Sequence, residues 1–169
     1  MKREFTLIVI VALAAIVFMT NKAKAYAGAV AEEMRLFGSI IEAQARKYGV
    51  PFERIAAIIL VESMNNRYAV GSSGERGLMQ LKPAALEDVN ANFALSFTWQ
   101  QLFDMNVNIE VGTAYLALMY RWTGRTSWNA ATQAYNAGIG NYLKNKNAGT
   151  EYLTKVLQAE SAVLQNASR

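Results

Sequence analysis

The chain has no cysteine and no histidine among its 169 residues, and only two prolines. Without cysteine there are no disulfides and no thiolate metal sites. Without histidine there is no Ser-His-Asp or Cys-His catalysis, and the commonest zinc ligand is missing. Any enzymatic chemistry must then fall to carboxylates, hydroxyls and lysines. A basic stripe is also lacking. The formal net charge is +4, but Lys2, Arg3, Lys22 and Lys24 against Glu4 account for +3 of it. The charges after Ala27 are dispersed, which argues against a nucleic-acid partner. What the chain has is apolar residues, 53% of the total, too many for a disordered chain. The length fits one domain with a real core.

Residues 1–27 read as a leader. A short, mostly basic start precedes an almost wholly apolar run from Phe5 to Met19. As a helix this run would span about 22 Å at ~1.5 Å per residue, short against a bilayer core of ~30 Å. Small residues at Ala23, Ala25 and Ala27 offer a cut after Ala25 or after Ala27, the pattern of a secretory signal peptide. The alternative is an uncleaved anchor with Lys22 and Lys24 at the membrane edge.

Residues 28–169 read as one all-α domain. Met34, Phe37, Ile41 and Tyr48 keep helical spacing up to Gly49. Pro51 suits the first turn of a second helix, running to about Met64. Residues 65–77 are polar, hold three glycines and read as a loop. Residues 78–89 look helical, with Pro83 implying an early turn or break. Thr98 can cap a short helix through Phe103, and Asn106 or Asn108 a longer one carrying Ile109, Val111, Ala114, Tyr115, Leu118 and Trp122. Thr126 or Ser127 can cap the next, which ends near Gly138. A last helix runs from Thr150 to about Asn166, with Tyr152, Val156, Ala159 and Val163 on its apolar face. No period-2 strand, repeat or second domain is evident.

Against this background Glu62 stands out. Ile55, Ile58 and Ile59 precede it by seven, four and three residues, so the carboxylate continues their apolar stripe. Burial without a cation favours the protonated acid and raises its pKa. A carboxylic acid that keeps its proton near neutrality is what glycoside cleavage needs, because the leaving oxygen must be protonated as its bond breaks. The alternative is a rim position, since Asn65 and Asn66 mark the helix end. Two further stretches accompany it. Gly74 and Gly77 lead into Leu78-Met79-Gln80, where backbone can approach a ligand and Gln80 can donate and accept. Tyr135 and Asn136 close a helix just before Gly138 and Gly140.

In this order, Glu62-Ser63, Gly77-Leu78-Met79-Gln80 and Ala134-Tyr135-Asn136-Ala137-Gly138 resemble the three signature motifs of the soluble lytic transglycosylase-like catalytic domain, whose fold is related to goose-type lysozyme. Asn108, Ile109, Gly112, Tyr115 and Leu116 are similar to that family's intervening helix. The resemblance covers about Ala31 to Leu143. It implies an all-helical, lysozyme-like domain with a sugar groove, acting on peptidoglycan glycan strands without metal or cofactor. It also implies that Glu62 is the single acid/base. Glu62 would protonate the oxygen between N-acetylmuramic acid and N-acetylglucosamine, and then take the proton of the C6 hydroxyl that closes a 1,6-anhydro ring. Ser63 would orient the acid, Gln80 and the Met79 backbone would line the groove, Tyr135 would lie near Glu62, and Asn136 would hold the loop or an acetamido group.

The chain departs from the family at several positions. Lys82 stands where an apolar Met is common, Ala85 where Thr is frequent, Asn65 where an aromatic or Gly is usual, and Glu75 where Ala is common. Lys82 is expected either to pair with a substrate carboxylate or to be a solvated lysine paired with Glu75. Three other readings stay open. One is a hydrolytic muramidase, which would need a water-activating carboxylate among Glu75, Asp104 and Glu110. The others are a glycan-binding module without activity and a membrane-anchored assembly factor. Small exported domains of this kind imply a periplasmic place, with components of a secretion, pilus, conjugation or phage apparatus as partners.

Overall fold

The computed structural model describes residues 27–167. All of the expected leader except Ala27 lies outside them. The architecture is all-α, as expected. Its elements are α1 (27–48), α2 (Phe52–Ser63), α3 (Pro83–Phe93), a 3₁₀ turn (Trp99–Phe103), α4 (Met105–Trp122), α5 (Trp128–Ala137), α6 (Ile139–Lys144) and α7 (Thr150–Ala167). Among the described residues the only β-type pairing is two isolated bridges, Val70 with Arg76 and Arg76 with Leu81. No helix among them is long and apolar enough to cross a membrane.

The second helix forms the spine. Every residue from Arg54 to Leu60 is buried, and α7 packs along it. The four-residue face of α7 read from the sequence, Tyr152, Val156, Ala159 and Val163, is the buried face. Burying a Val, Leu or Ile side chain is worth about 1.5–3 kcal/mol, so these two stripes hold α2 and α7 together. The fourth helix packs against α3, α5 and the 3₁₀ turn. Lys47 Nζ lies 2.6 Å from Glu110 Oε1, and the Tyr48 hydroxyl donates to the same oxygen at 3.1 Å, tying the end of α1 to α4.

Several boundaries differ from the expectation. Pro83 is the first residue of α3 and Lys82 its N-cap, so residues 78–80 are turn and Leu81 and Lys82 extended, not helix. Proline suits a first helical position because its missing N–H would have no partner there. Asp104 caps α4, not Asn106 or Asn108. Its Oδ1 accepts from the backbone N–H of Asn106 (2.9 Å) and Val107 (3.2 Å), and a carboxylate at a helix N-terminus also meets the positive end of the dipole. Ser127, one of the two candidates, caps α5 by accepting from Ala130 N at 3.1 Å. Sequence reading missed α6, whose six residues are too few to show a period.

Candidate active site

The second helix stops immediately after the acid. Met64 and Asn65 both take left-handed backbone angles (φ 48° and 68°), a conformation that costs a residue with a Cβ roughly 1–2 kcal/mol. The Asn65 side chain offsets this by donating to the Ala29 carbonyl at 2.8 Å. The break leaves Glu62 on the wall of a groove of about 440 Å³ that is also lined by Gly71, Glu75, Gln80, Lys82, Tyr115, Tyr135 and Asn136. Ile55, Ile58 and Ile59 are fully buried, and Glu62, next on their stripe, is half-buried.

The groove floor is a tight turn held from below. Asn108, buried on α4, accepts from Met79 N (2.8 Å) and donates to the carbonyls of Arg76 (3.0 Å) and Leu102 (2.7 Å). Gly77 (φ 76°) sits against this amide, and a Cβ there would meet the Asn108 side chain and the Leu102 carbonyl. Gln80, itself left-handed (φ 47°), spends its amide N–H groups on the carbonyls of Ala69 (3.1 Å) and Gly77 (2.9 Å). Toward a ligand it therefore offers its carbonyl oxygen.

The structure thus gathers Glu62, Gln80, Lys82, Tyr135 and Asn136 around one groove. Two of the expected site residues lie elsewhere. Met79 is fully buried. Its N–H goes to Asn108, its carbonyl accepts from the Tyr135 hydroxyl at 2.7 Å, and its side chain packs on Gly112. It anchors the turn from inside the core and leaves no backbone group for a sugar. Ser63 donates to the Ile59 carbonyl at 3.1 Å, one turn back on its own helix, and is not among the groove-lining residues.

The partner of Glu62 was not foreseen. Tyr152, 90 residues later on α7, donates its hydroxyl to Glu62 Oε1 at 2.7 Å. Its place at the end of an apolar stripe was legible, but its contact with the acid was not. With Oε1 so occupied, the proton of the neutral acid belongs on Oε2. Burial raises the Glu62 pKa to about 7. The Tyr152 hydrogen bond opposes this, the nearby Glu75 charge adds to it and the Lys82 charge works against it. Burial pushes the Tyr152 and Tyr135 hydroxyls well up, so both remain donors.

The three carboxylates that could serve a water-activating role, Glu75, Asp104 and Glu110, are committed. Glu75 Oε1 is 3.2 Å from Lys82 Nζ, and Oε2 accepts from Ser73 N at 3.0 Å. Backbone hydrogen bonding, foremost from its own N–H, holds its pKa below the usual range. The two departures at 75 and 82 are thus each other's partner. Asp104 caps α4, and Glu110 is paired with Lys47. Among the described residues no group of three or more Asp or Glu is placed to hold a metal ion.

Residues 39–158 match the Transglycosylase SLT domain. The chain belongs to this family. Curated relatives of this SLT chain include the membrane-bound lytic murein transglycosylase C of Cronobacter sakazakii, 38% identical over 62% of this chain and 32% of that protein. Another is the membrane-bound lytic murein transglycosylase E of Buchnera aphidicola, 35% identical over 52% of this chain and 41% of that protein. The chain thus spans about a third to two-fifths of the length of these two relatives. Its lysozyme-like fold is that of solved SLT structures. An inactive variant of the lytic transglycosylase Slt from Pseudomonas aeruginosa superposes with a TM-score of 0.70 at 24% identity, covering 79% of this chain and 24% of that one. The 70 kDa soluble lytic transglycosylase of Escherichia coli gives 0.67 at 23% identity, over 75% and 24%.

Proposed function

We propose that this SLT domain is a peptidoglycan lytic transglycosylase, with Glu62 as its only acid/base. The observation that supports this most is the state of Glu62. It is a half-buried carboxyl with a pKa of about 7, held by Tyr152 on the wall of an open groove. The Oε2 proton goes to the oxygen linking N-acetylmuramic acid to N-acetylglucosamine as the C1–O bond breaks. The carboxylate left behind then takes the proton of the muramic acid C6 hydroxyl as that oxygen bonds to C1. Glu62 is restored, no water is consumed, and the glycan ends in a 1,6-anhydro ring. Attack by an oriented group on the same molecule can be worth on the order of 7–11 kcal/mol, so no second carboxylate is needed to activate a nucleophile, unlike the usual glycosidase pair.

The hydrolytic alternative requires a carboxylate that can take a proton from water. Glu75 is the other acid lining the groove, and it is a poor base because Lys82 and Ser73 occupy its oxygens. Mass spectrometry of digested cell wall decides between the two: anhydro ends are expected, and reducing ends would mean hydrolysis. Glu62→Gln should abolish release of either end while keeping the fold. If activity stays at a tenth of wild type or more, Glu62 is not the acid.

Lys82, Gln80, Tyr135 and Asn136 are proposed as groove contacts. Lys82 can reach a substrate carboxylate only by sharing itself with Glu75. The proposed place of action is the periplasm, reached through the 1–27 leader, and the proposed role is local opening of the wall for an envelope-spanning apparatus. Deleting the gene should impair assembly of one such apparatus. Intact assembly of all of them, with altered bulk wall turnover, would refute that role.

A further inference from the structure

Two rungs join α2 to α7, at the same interval on both helices. One is Glu62 with Tyr152. Eight residues earlier on α2, Arg54 meets Glu160, eight residues later on α7. Eight residues rise about 12 Å, so the helices run antiparallel with a polar rung at each end. The Arg54 rung is buried, with side chains 6% and 14% exposed. Its Nε donates to Glu160 Oε2 at 3.0 Å, and Nη2 lies 2.8 Å from the same oxygen. Nη1 donates to Thr132 Oγ1 (2.7 Å) and the Trp128 carbonyl (3.2 Å), and Nη2 to Asn129 Oδ1 (3.2 Å). The guanidinium thus donates to α5 and α7 together, with Nη2 also in ion-pair contact with Glu160, and α2 is fastened to both helices at one point.

Between the rungs, α7 turns only Val156 and Ala159 to the core. Contacts of small apolar side chains are non-directional and resist sliding or rolling weakly. A guanidinium fork fixes direction as well as distance. We propose that the Arg54–Glu160 pair is a positioning device for the acid, setting the register of α7 on α2 so that the Tyr152 hydroxyl stays on Glu62. This rests on the reading of Glu62 as the acid. Neither Arg54 nor Glu160 lines the groove, so their effect on the reaction runs through Tyr152.

The titratable and charged groups that act on Glu62 are Tyr152 from α7, Tyr135 from α5, and Glu75 and Lys82 from the segment leading into α3. Tyr135 is anchored separately by its bond to the Met79 carbonyl. The Tyr152 hydrogen bond favours the ionised form of Glu62, so loosening it moves the titration of Glu62 upward.

The decisive variant is the double change Arg54→Met with Glu160→Leu. Apolar replacement of a buried ion pair often preserves or raises stability, which separates positioning from folding. Two readouts are followed: the Glu62 carboxyl titration by carbon-13 NMR, and the pH profile of kcat on glycan strands. We expect a folded protein whose Glu62 titration and alkaline limb both move up by roughly half a pH unit, with kcat several-fold lower. Tyr152→Phe should give the same shift, and adding the double change to it should shift nothing further, because both act through one hydroxyl. A folded double variant with wild-type titration and limb overturns the proposal, as do shifts that add to that of Tyr152→Phe. Should the double variant not fold, Glu160→Asp, which keeps both charges but shortens the acid, is subject to the same two outcomes. Absence of anhydro ends from wild type would instead sink the functional reading, while the NMR titration would still decide the positioning.

Discussion

Replacing Glu62 by Gln should make the fold more stable at pH 8 and leave it nearly unchanged at pH 4. The pKa of Glu62 rises from 4.5 to about 7, chiefly because burial penalises the charged form. A raised carboxyl binds its proton more tightly in the folded state. Its contribution is present in full below the unfolded pKa and is lost as pH rises through the folded one. At 1.36 kcal/mol per pKa unit, the rise from 4.5 to about 7 sets a ceiling of about 3 kcal/mol. Water reaching the open groove screens part of this, leaving about 2 kcal/mol. Gln keeps the shape and can still accept from the Tyr152 hydroxyl, but it does not titrate. Urea denaturation of wild type and variant at pH 4 and pH 8 measures the difference. The advantage of the variant should grow between pH 4.5 and 7 and then level off. An equal advantage at both pH values would mean that Glu62 is solvated or paired in the folded state, and the argument from its apolar stripe would fail.

Other perturbations test separate parts of the molecule. Glu33 is fully buried on α1, its carboxyl oxygens have no hydrogen-bond partner, and burial raises its pKa to about 9. By the same sign, Glu33→Gln should add up to about 3 kcal/mol at pH 7 and little at pH 4; equal denaturation midpoints for the two proteins at pH 7 would refute this. Lys82→Met removes the partner of Glu75 and should weaken binding to glycan strands bearing stem peptides by about 1–3 kcal/mol. An equal effect on peptide-free strands would reduce Lys82 to a lysine that serves only Glu75. Gly77→Ala places a Cβ at φ 76° against the Asn108 side chain and the Leu102 carbonyl, and should cost about 2–4 kcal/mol in urea denaturation. A loss under about 1 kcal/mol would mean that the turn yields cheaply.

Local patterns in the sequence determined most of the helices and the place of Glu62 on an apolar stripe. Ile55, Ile58, Ile59 and Glu62 share a face because a helix repeats every 3.6 residues, and that period needs no tertiary information. The buried face of α7 was legible for the same reason, and so was the cap at Thr98. Where several residues could do one job, the sequence left the choice open. Asp104 outcompetes Asn106 and Asn108 as the cap of α4, because Asn108 is drawn inward to satisfy the turn at Gly77–Met79. The burial of Met79, the turning of Ser63 to its own helix and the pairing of Glu75 with Lys82 were likewise settled by packing. The Tyr152 hydroxyl reaches Glu62 across 90 residues of chain. No local period records that contact. It exists only once α7 lies antiparallel on α2, because a hydrogen bond depends on a few ångströms of placement that the intervening helices supply together.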